Sequence, residues 1–91
     1  MGAITKYSSL EGRCVFITGG ATGIGAAMVE AFAIQGAKVA FVDLDMDSAD
    51  SLCASLKNQT GTSPWFQKID VTDVEALQAA ITDAVEELGP L

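Results

Sequence analysis

Histidine is absent from the 91 residues, which removes the commonest metal ligand and the commonest general base near neutral pH. Cysteine is almost absent too. Cys14 and Cys53 stand far apart and form no Cys-x-x-Cys pair, so they read as small buried hydrophobes in a reducing compartment, not as a disulfide framework. Basic residues number only five against twelve acidic ones, giving a formal charge of −7. Those five, Lys6, Arg13, Lys38, Lys57 and Lys68, are scattered, and no patch exists to bind nucleic acid electrostatically. No apolar run approaches the ~18–20 residues a membrane span needs. The opening MGAITKYSSLEG has no hydrophobic signal core, and Lys6 stands where the myristoylation pattern requires Ser or Thr. Asn58-Gln59-Thr60 matches a glycosylation sequon, but without a secretion signal it is expected to be silent. The expected location is the cytoplasm, with no membrane or nucleic-acid partner.

Apolar residues, at 49% of the chain, are plentiful enough for a packed core. A chain of this length buries roughly 60–70% of its unfolded surface, which permits one domain of modest stability. Residues 1–9 show little periodicity and read as an exposed tail. Residues 10–91 read as one α/β unit.

That unit is organised around Arg13–Gly25, RCVFITGGATGIG. Val15, Phe16 and Ile17 run in succession, as in a strand buried on both faces of a parallel sheet. Gly19, Gly20, Gly23 and Gly25 then permit a tight turn. From Ile24 the apolar period becomes helical, placing Ile24, Ala27, Met28, Ala31 and Phe32 on one expected inward face, with the helix ending near Gln35 and Gly36. Strand, glycine turn and helix start together form a phosphate cradle, with backbone N–H groups and the positive end of the helix dipole facing the anion. Taken alone, such a turn can also be purely structural.

A second strand is expected at Lys38–Asp43. Asp45 or Asp47 can cap the following helix, whose inward residues are Ala49, Leu52, Cys53 and Leu56 and which ends near Lys57–Gly61. A third strand is expected at Trp65–Asp70. Thr72 and Glu75 then have the spacing of a capping box, and a last helix follows with Val74, Leu77, Ile81, Ala84, Val85 and Leu88 inward until Gly89-Pro90 stops it. Asp83, Glu86 and Glu87 on that helix read as a solvated face.

The order β-α-β-α-β-α implies a parallel sheet with right-handed crossovers and a doubly wound α/β unit. Consecutive right-handed crossovers put the first two helices on one face. The last helix must pass to the other face and carry the chain toward the far side of the first strand. That strand is then a long apolar edge, which soluble domains avoid, so the chain is expected to be half of a larger sheet.

Two carboxylates stand at strand ends. Asp43 follows Gly25 by eighteen positions, close to the ~20 expected of the acid that takes an adenosine ribose. Ionised, it would repel a 2′-phosphate by roughly 4 kcal/mol per unit charge at about 4 Å and an effective dielectric of about 20. The alternative role for Asp43 is that of a loop-opening turn residue. Asp70-Val71 ends the third strand, and Asp70 alone can equally begin the turn at Thr72.

The turn Thr18-Gly19-Gly20-Ala21-Thr22-Gly23-Ile24-Gly25, or TGxxxGIG, resembles the short-chain dehydrogenase/reductase family in its ordinary branch. The extended branch requires a glycine where Thr22 stands, and a nucleotide P-loop requires a Gly-Lys-Ser/Thr that does not follow. The resemblance covers residues 10 to 91 and implies the amino-terminal half of a Rossmann-type doubly wound sheet. It implies NAD as cofactor, with Gly19, Thr22, Gly23, Ile24 and Gly25 at the pyrophosphate and Asp43 with Leu44 at the adenosine ribose. The Asp70 carboxylate would accept from the adenine amine, and the Val71 N–H would donate to the ring. Members that prefer NADP tend to carry a basic residue where Thr22 or Leu44 stands.

The implied activity is hydride transfer between NAD and a small alcohol or ketone, with a weak leaning toward a sugar or polyol. The family's catalytic Ser and Tyr-x-x-x-Lys would lie beyond Leu91. Tyr7 is followed four positions on by Glu11 and carries no such role; Ser8 and Ser9 match nothing catalytic. No catalytic residue is expected within these 91 residues. A dimer or tetramer is what the family implies. The rival reading is a non-enzymatic nucleotide-binding or regulatory module built on the same half-fold.

Overall fold

In the computed structural model, which describes residues 12–89, three strands alternate with three helices. They are β1 (Cys14–Thr18), α1 (Gly23–Ile34), β2 (Lys38–Asp43), α2 (Met46–Thr60), β3 (Trp65–Lys68) and α3 (Val74–Leu88). The tail expected at residues 1–9, Tyr7 included, lies outside the described residues. Among those residues no helix is long and apolar enough to cross a membrane.

The strands form one parallel sheet in the order β1-β2-β3, with Thr18 opposite Val42 and Asp43 opposite Lys68. β2 is central, and Val39, Ala40, Phe41 and Val42 are all buried, which explains its unbroken apolar run. Successive side chains alternate between the two faces. Val39 and Phe41 join Ile17, Val29, Ala49 and Leu56 in a core beneath α1 and α2. Val42 joins Ile69 and Ala80, with Phe16, Trp65 and Leu77 packed around them, in a second core beneath α3. The first two helices thus share a face and the third covers the other, as the strand order requires. Burying one side chain such as Phe41 or Leu56 contributes about 1.5–3 kcal/mol, and the Phe41 ring also meets Phe66 at 5.0 Å between centroids. The end of α3 reaches back across the sheet to β1, where the Cys14 thiol donates to the Leu88 carbonyl at 3.1 Å. Cys14 and Cys53 are both free and half-buried; burial raises the pKa of the Cys53 thiol.

Several elements depart from their sequence expectations. β3 ends at Lys68, two residues before Asp70. In α1 the buried residue is Val29, with Phe32 and Ala33 packed beside it, while Ile24, Ala27 and Met28 are exposed. Glu30 is the only charged residue of this helix and the rest is apolar almost all round, so periodicity could not select its inward face. What selects it is Gly25, which must lie against the glycine turn (below) and turns Ile24 outward. The expected Thr72–Glu75 capping box does not form. Asp73 is the N-cap of α3 and accepts from the Ala76 N–H at 3.1 Å, whereas the Thr72 hydroxyl donates to Asp70. An aspartate carboxylate beside the first turn outcompetes a threonine already committed elsewhere. Val74 and Val85 are exposed, and Ala80 and Ala84 form the buried stripe of α3. Of the two candidate caps for α2, Asp45 serves: it accepts from the Ser48 N–H at 3.0 Å and the Ser48 hydroxyl at 2.7 Å.

Candidate functional site

The β1–β2 register decides where the glycine turn begins. Because Thr18 faces Val42, the chain leaves β1 beside the last residues of β2. The N–H groups of Gly19 and Gly20 both donate to the Val42 carbonyl, at 2.9 and 3.3 Å. The next amide, that of Ala21, donates to Asp43 Oδ2 at 3.1 Å, and the Ala21 methyl is buried in the first core. Three successive amides are therefore held by the end of β2. A Cβ at Gly20 would lie 2.7 Å from the Cβ of Phe41, so the turn sits directly on the core.

The second half of the turn is arranged differently. Thr22 is the N-cap of α1 but makes no side-chain capping bond, and the first turn of α1 carries no acidic residue. Both other helices are capped by an aspartate. The first helical bond runs from the Ala26 N–H to the Thr22 carbonyl at 3.2 Å, so the amides ahead of Ala26 have no acceptor within the helix. Together with the positive end of the helix dipole they form a place for an anion. Gly23 adopts φ +59 with nothing within 4 Å of a notional Cβ. At Gly25 a Cβ would overlap the Gly19 carbonyl oxygen and come within 2.7 Å of its carbonyl carbon. Gly23 thus leaves room outside the turn, and Gly25 lets the helix start lie against it. Ile24, between these two glycines, is 83% exposed.

Next to the cradle, Gly19, Asp43, Leu44, Ile69, Asp70 and Val71 line a cleft of about 150 Å³. Leu44 and Val71 are exposed and offer apolar walls for a flat ring. Asp43 is half-buried, and its two oxygens accept from Ala21 and, through Oδ1, from the Asp45 N–H at 2.9 Å. Each oxygen retains a further lone pair for a hydroxyl donor. Asp70 is exposed, and its Oδ1 accepts from the Thr72 hydroxyl at 2.7 Å and the Thr72 N–H at 2.9 Å. The hydroxyl bond first, and the backbone bond second, hold its carboxyl below the ordinary value of 3.8. Asp70 Oδ2 accepts no bond among the described residues and is the oxygen open to a ligand amine. Asp45 is likewise lowered, by the Ser48 backbone and then its hydroxyl.

A larger hollow of about 310 Å³ opens among Ala33, Lys38, Thr60, Pro64 and Leu88. It lies at the amino ends of the strands, away from every residue singled out above, whereas open α/β sheets bind ligands at the carboxyl ends. The nine expected site residues all fall at the carboxyl end. Five of them line the smaller cleft, and Thr22, Gly23, Ile24 and Gly25 form the adjacent helix start. Sequence reasoning passed over Ala21, which anchors the turn by both its amide and its methyl. Nothing in the motif distinguishes that position from its neighbours. It also assigned Thr72 to the wrong partner.

This arrangement is that of a dinucleotide-binding half-fold. A model of the short chain dehydrogenase family matches residues 13–91, and the chain belongs to that family. Family members bind a nicotinamide cofactor, and the cradle fits one: an uncapped helix start, a positive-φ glycine facing open space, and two carboxylates beside an apolar cleft. The chain is 49% identical over 85 residues to a probable galactose dehydrogenase of Rhizobium meliloti, covering 93% of this chain and 33% of that protein. It is 40% identical over 80 residues to D-threitol dehydrogenase of Mycolicibacterium smegmatis, covering 88% and 30%. Among solved structures, L-sorbose reductase from Gluconobacter frateurii, complexed with NADPH and L-sorbose, superimposes with a TM-score of 0.78 at 30% identity, covering 87% of this chain and 30% of that one. The chain therefore spans about a third of the length of the curated relatives it matches.

Proposed function

We propose that this chain is the amino-terminal, NAD-binding portion of an oxidoreductase that transfers hydride between NAD and the CH–OH group of a sugar or polyol. The observation that carries the proposal is the meeting of Asp43, Asp70 and the uncapped start of α1 around one opening at the carboxyl end of the sheet. In this reading the pyrophosphate lies on the amides of Thr22, Gly23, Ile24 and Gly25. The ribose hydroxyls donate to Asp43 beside Leu44, and adenine lies between Leu44 and Val71 with its amine toward Asp70. When bound, NAD would supply the hydride acceptor; these residues bind and orient its adenosine and pyrophosphate end. Tyrosine, lysine and serine for the chemistry belong to the part of such a protein beyond residue 91.

The choice of NAD rests on Asp43. The similar L-sorbose reductase was solved with NADPH, so family likeness alone does not choose. Asp43 is a carboxylate followed by uncharged Leu44 and then by acidic Asp45, so no basic residue directly follows the strand to accept a 2′-phosphate. Repulsion of roughly 4 kcal/mol, screened severalfold, still leaves about 1.4 kcal/mol or a tenfold preference. The sugar or polyol substrate is supported by the named activities of the galactose, threitol and sorbose relatives. A cytoplasmic location and a homo-oligomer belong to the same proposal.

The test is calorimetric titration of the full-length protein with NAD and NADP, followed by turnover on a panel of sugars and polyols. NAD should bind at least about tenfold tighter than NADP, with NAD reduction on at least one aldose or polyol. Tighter binding of NADP would overturn the cofactor assignment, and binding of neither would overturn the site.

A further inference from the structure

Asp43 has two occupied oxygens before any cofactor arrives. One holds the Ala21 amide in the middle of the glycine turn, and the other holds the Asp45 amide at the start of the next loop. The first bond ties the turn leaving β1 to the end of β2 one residue beyond the Gly19 and Gly20 amides, and the second fixes the start of the loop that follows. Ala21 is also the last residue of the turn fixed to the sheet. The amides before it bond to Val42, and those after it belong to the cradle.

We propose that Asp43 is a positioning residue for the phosphate cradle as well as the ribose acceptor. Through Ala21 it sets the height of Thr22 and the helix start relative to the sheet. The consequence for specificity, which rests on the cofactor reading above, is that removing the carboxylate does not invert cofactor choice. A side chain that neither repels a 2′-phosphate nor holds Ala21 leaves the pyrophosphate site displaced, and NADP gains nothing.

Two uncharged replacements separate the roles. In Asp43→Asn the amide oxygen can still accept from Ala21, while in Asp43→Ala nothing can. Both relieve the same charge repulsion. In the full-length protein without cofactor, the Ala21 amide should exchange with deuterium roughly tenfold faster in Asp43→Ala than in Asp43→Asn. NADP should bind Asp43→Asn roughly tenfold more tightly than Asp43→Ala, and Asp43→Ala no more tightly than the unaltered protein. Equal exchange at Ala21 in the two variants would overturn the brace. So would a gain in NADP affinity in Asp43→Ala over the unaltered protein. The exchange measurement needs no cofactor, so it decides the brace even if the unaltered protein binds neither dinucleotide. That second result would instead defeat the cofactor reading.

Discussion

Gly25 and Ile24 are neighbours with opposite duties, and substitutions at the two positions should separate fold from binding. A methyl at Gly25 would enter the Gly19 backbone, where no flexible side chain can yield. Gly25→Ala should therefore cost about 1–3 kcal/mol of stability by overpacking and push the helix start off the turn. NAD affinity should fall with it. Ile24 is exposed and belongs to neither core, so Ile24→Ala should leave stability within about 0.5 kcal/mol while weakening NAD binding. Thermal melts and NAD titrations of the two full-length variants check both halves. An Ile24→Ala protein that melts early but binds NAD normally would contradict the assignment. The motif made these glycines legible as a group. It did not reveal that Gly20 and Gly25 serve packing while Gly23 faces open space, because that division depends on what lies across from each Cα.

Helix starts show the same limit one level up. α2 and α3 begin at aspartates that accept from the first-turn amides, whereas α1 begins at a threonine that caps nothing. The difference suits their tasks: a capped start is electrostatically satisfied, and an uncapped start awaits an anion. For α3 the cap belongs to Asp73, so Asp73→Ala should cost about 1 kcal/mol and Thr72→Ala distinctly less. Thr72→Ala should also let the Asp70 carboxyl return toward its ordinary value, since the hydroxyl bond is the leading cause of its lowering. Chemical denaturation of both variants, with the Asp70 carboxyl followed by NMR across acid pH, checks the pair. Equal losses would restore the Thr72 capping box. Sequence spacing favoured that box because Thr-x-x-Glu is a good pattern; it could not see that Asp70 had already engaged the hydroxyl.

At the scale of the whole molecule, β1 bonds to β2 on one side only, and its outer edge has no strand partner among the described residues. A bare parallel edge is a template for association. The 91-residue chain expressed by itself should accordingly self-associate at micromolar concentration, as read by sedimentation velocity, whereas the full-length protein should not gain mass through this edge. A 91-residue chain that stays monomeric and folded would show that the edge is protected.

By itself the sequence determined the element order, the parallel sheet, the three-strand layout with helices on both faces, and the carboxyl-end placement of all nine candidate residues. These follow from short-range signals: continuous apolar runs, glycine spacing, and strand-end acids at fixed intervals. Tertiary structure decided which face of the largely apolar α1 turns inward, and that the Asp43 carboxylate holds Ala21, twenty-two positions away. The α3 cap is settled locally, where Asp70 takes the Thr72 hydroxyl and leaves the first-turn amide to Asp73; the other two depend on groups brought together by the sheet. The bond from Ala21 to Asp43 exists only once β2 has been laid beside β1.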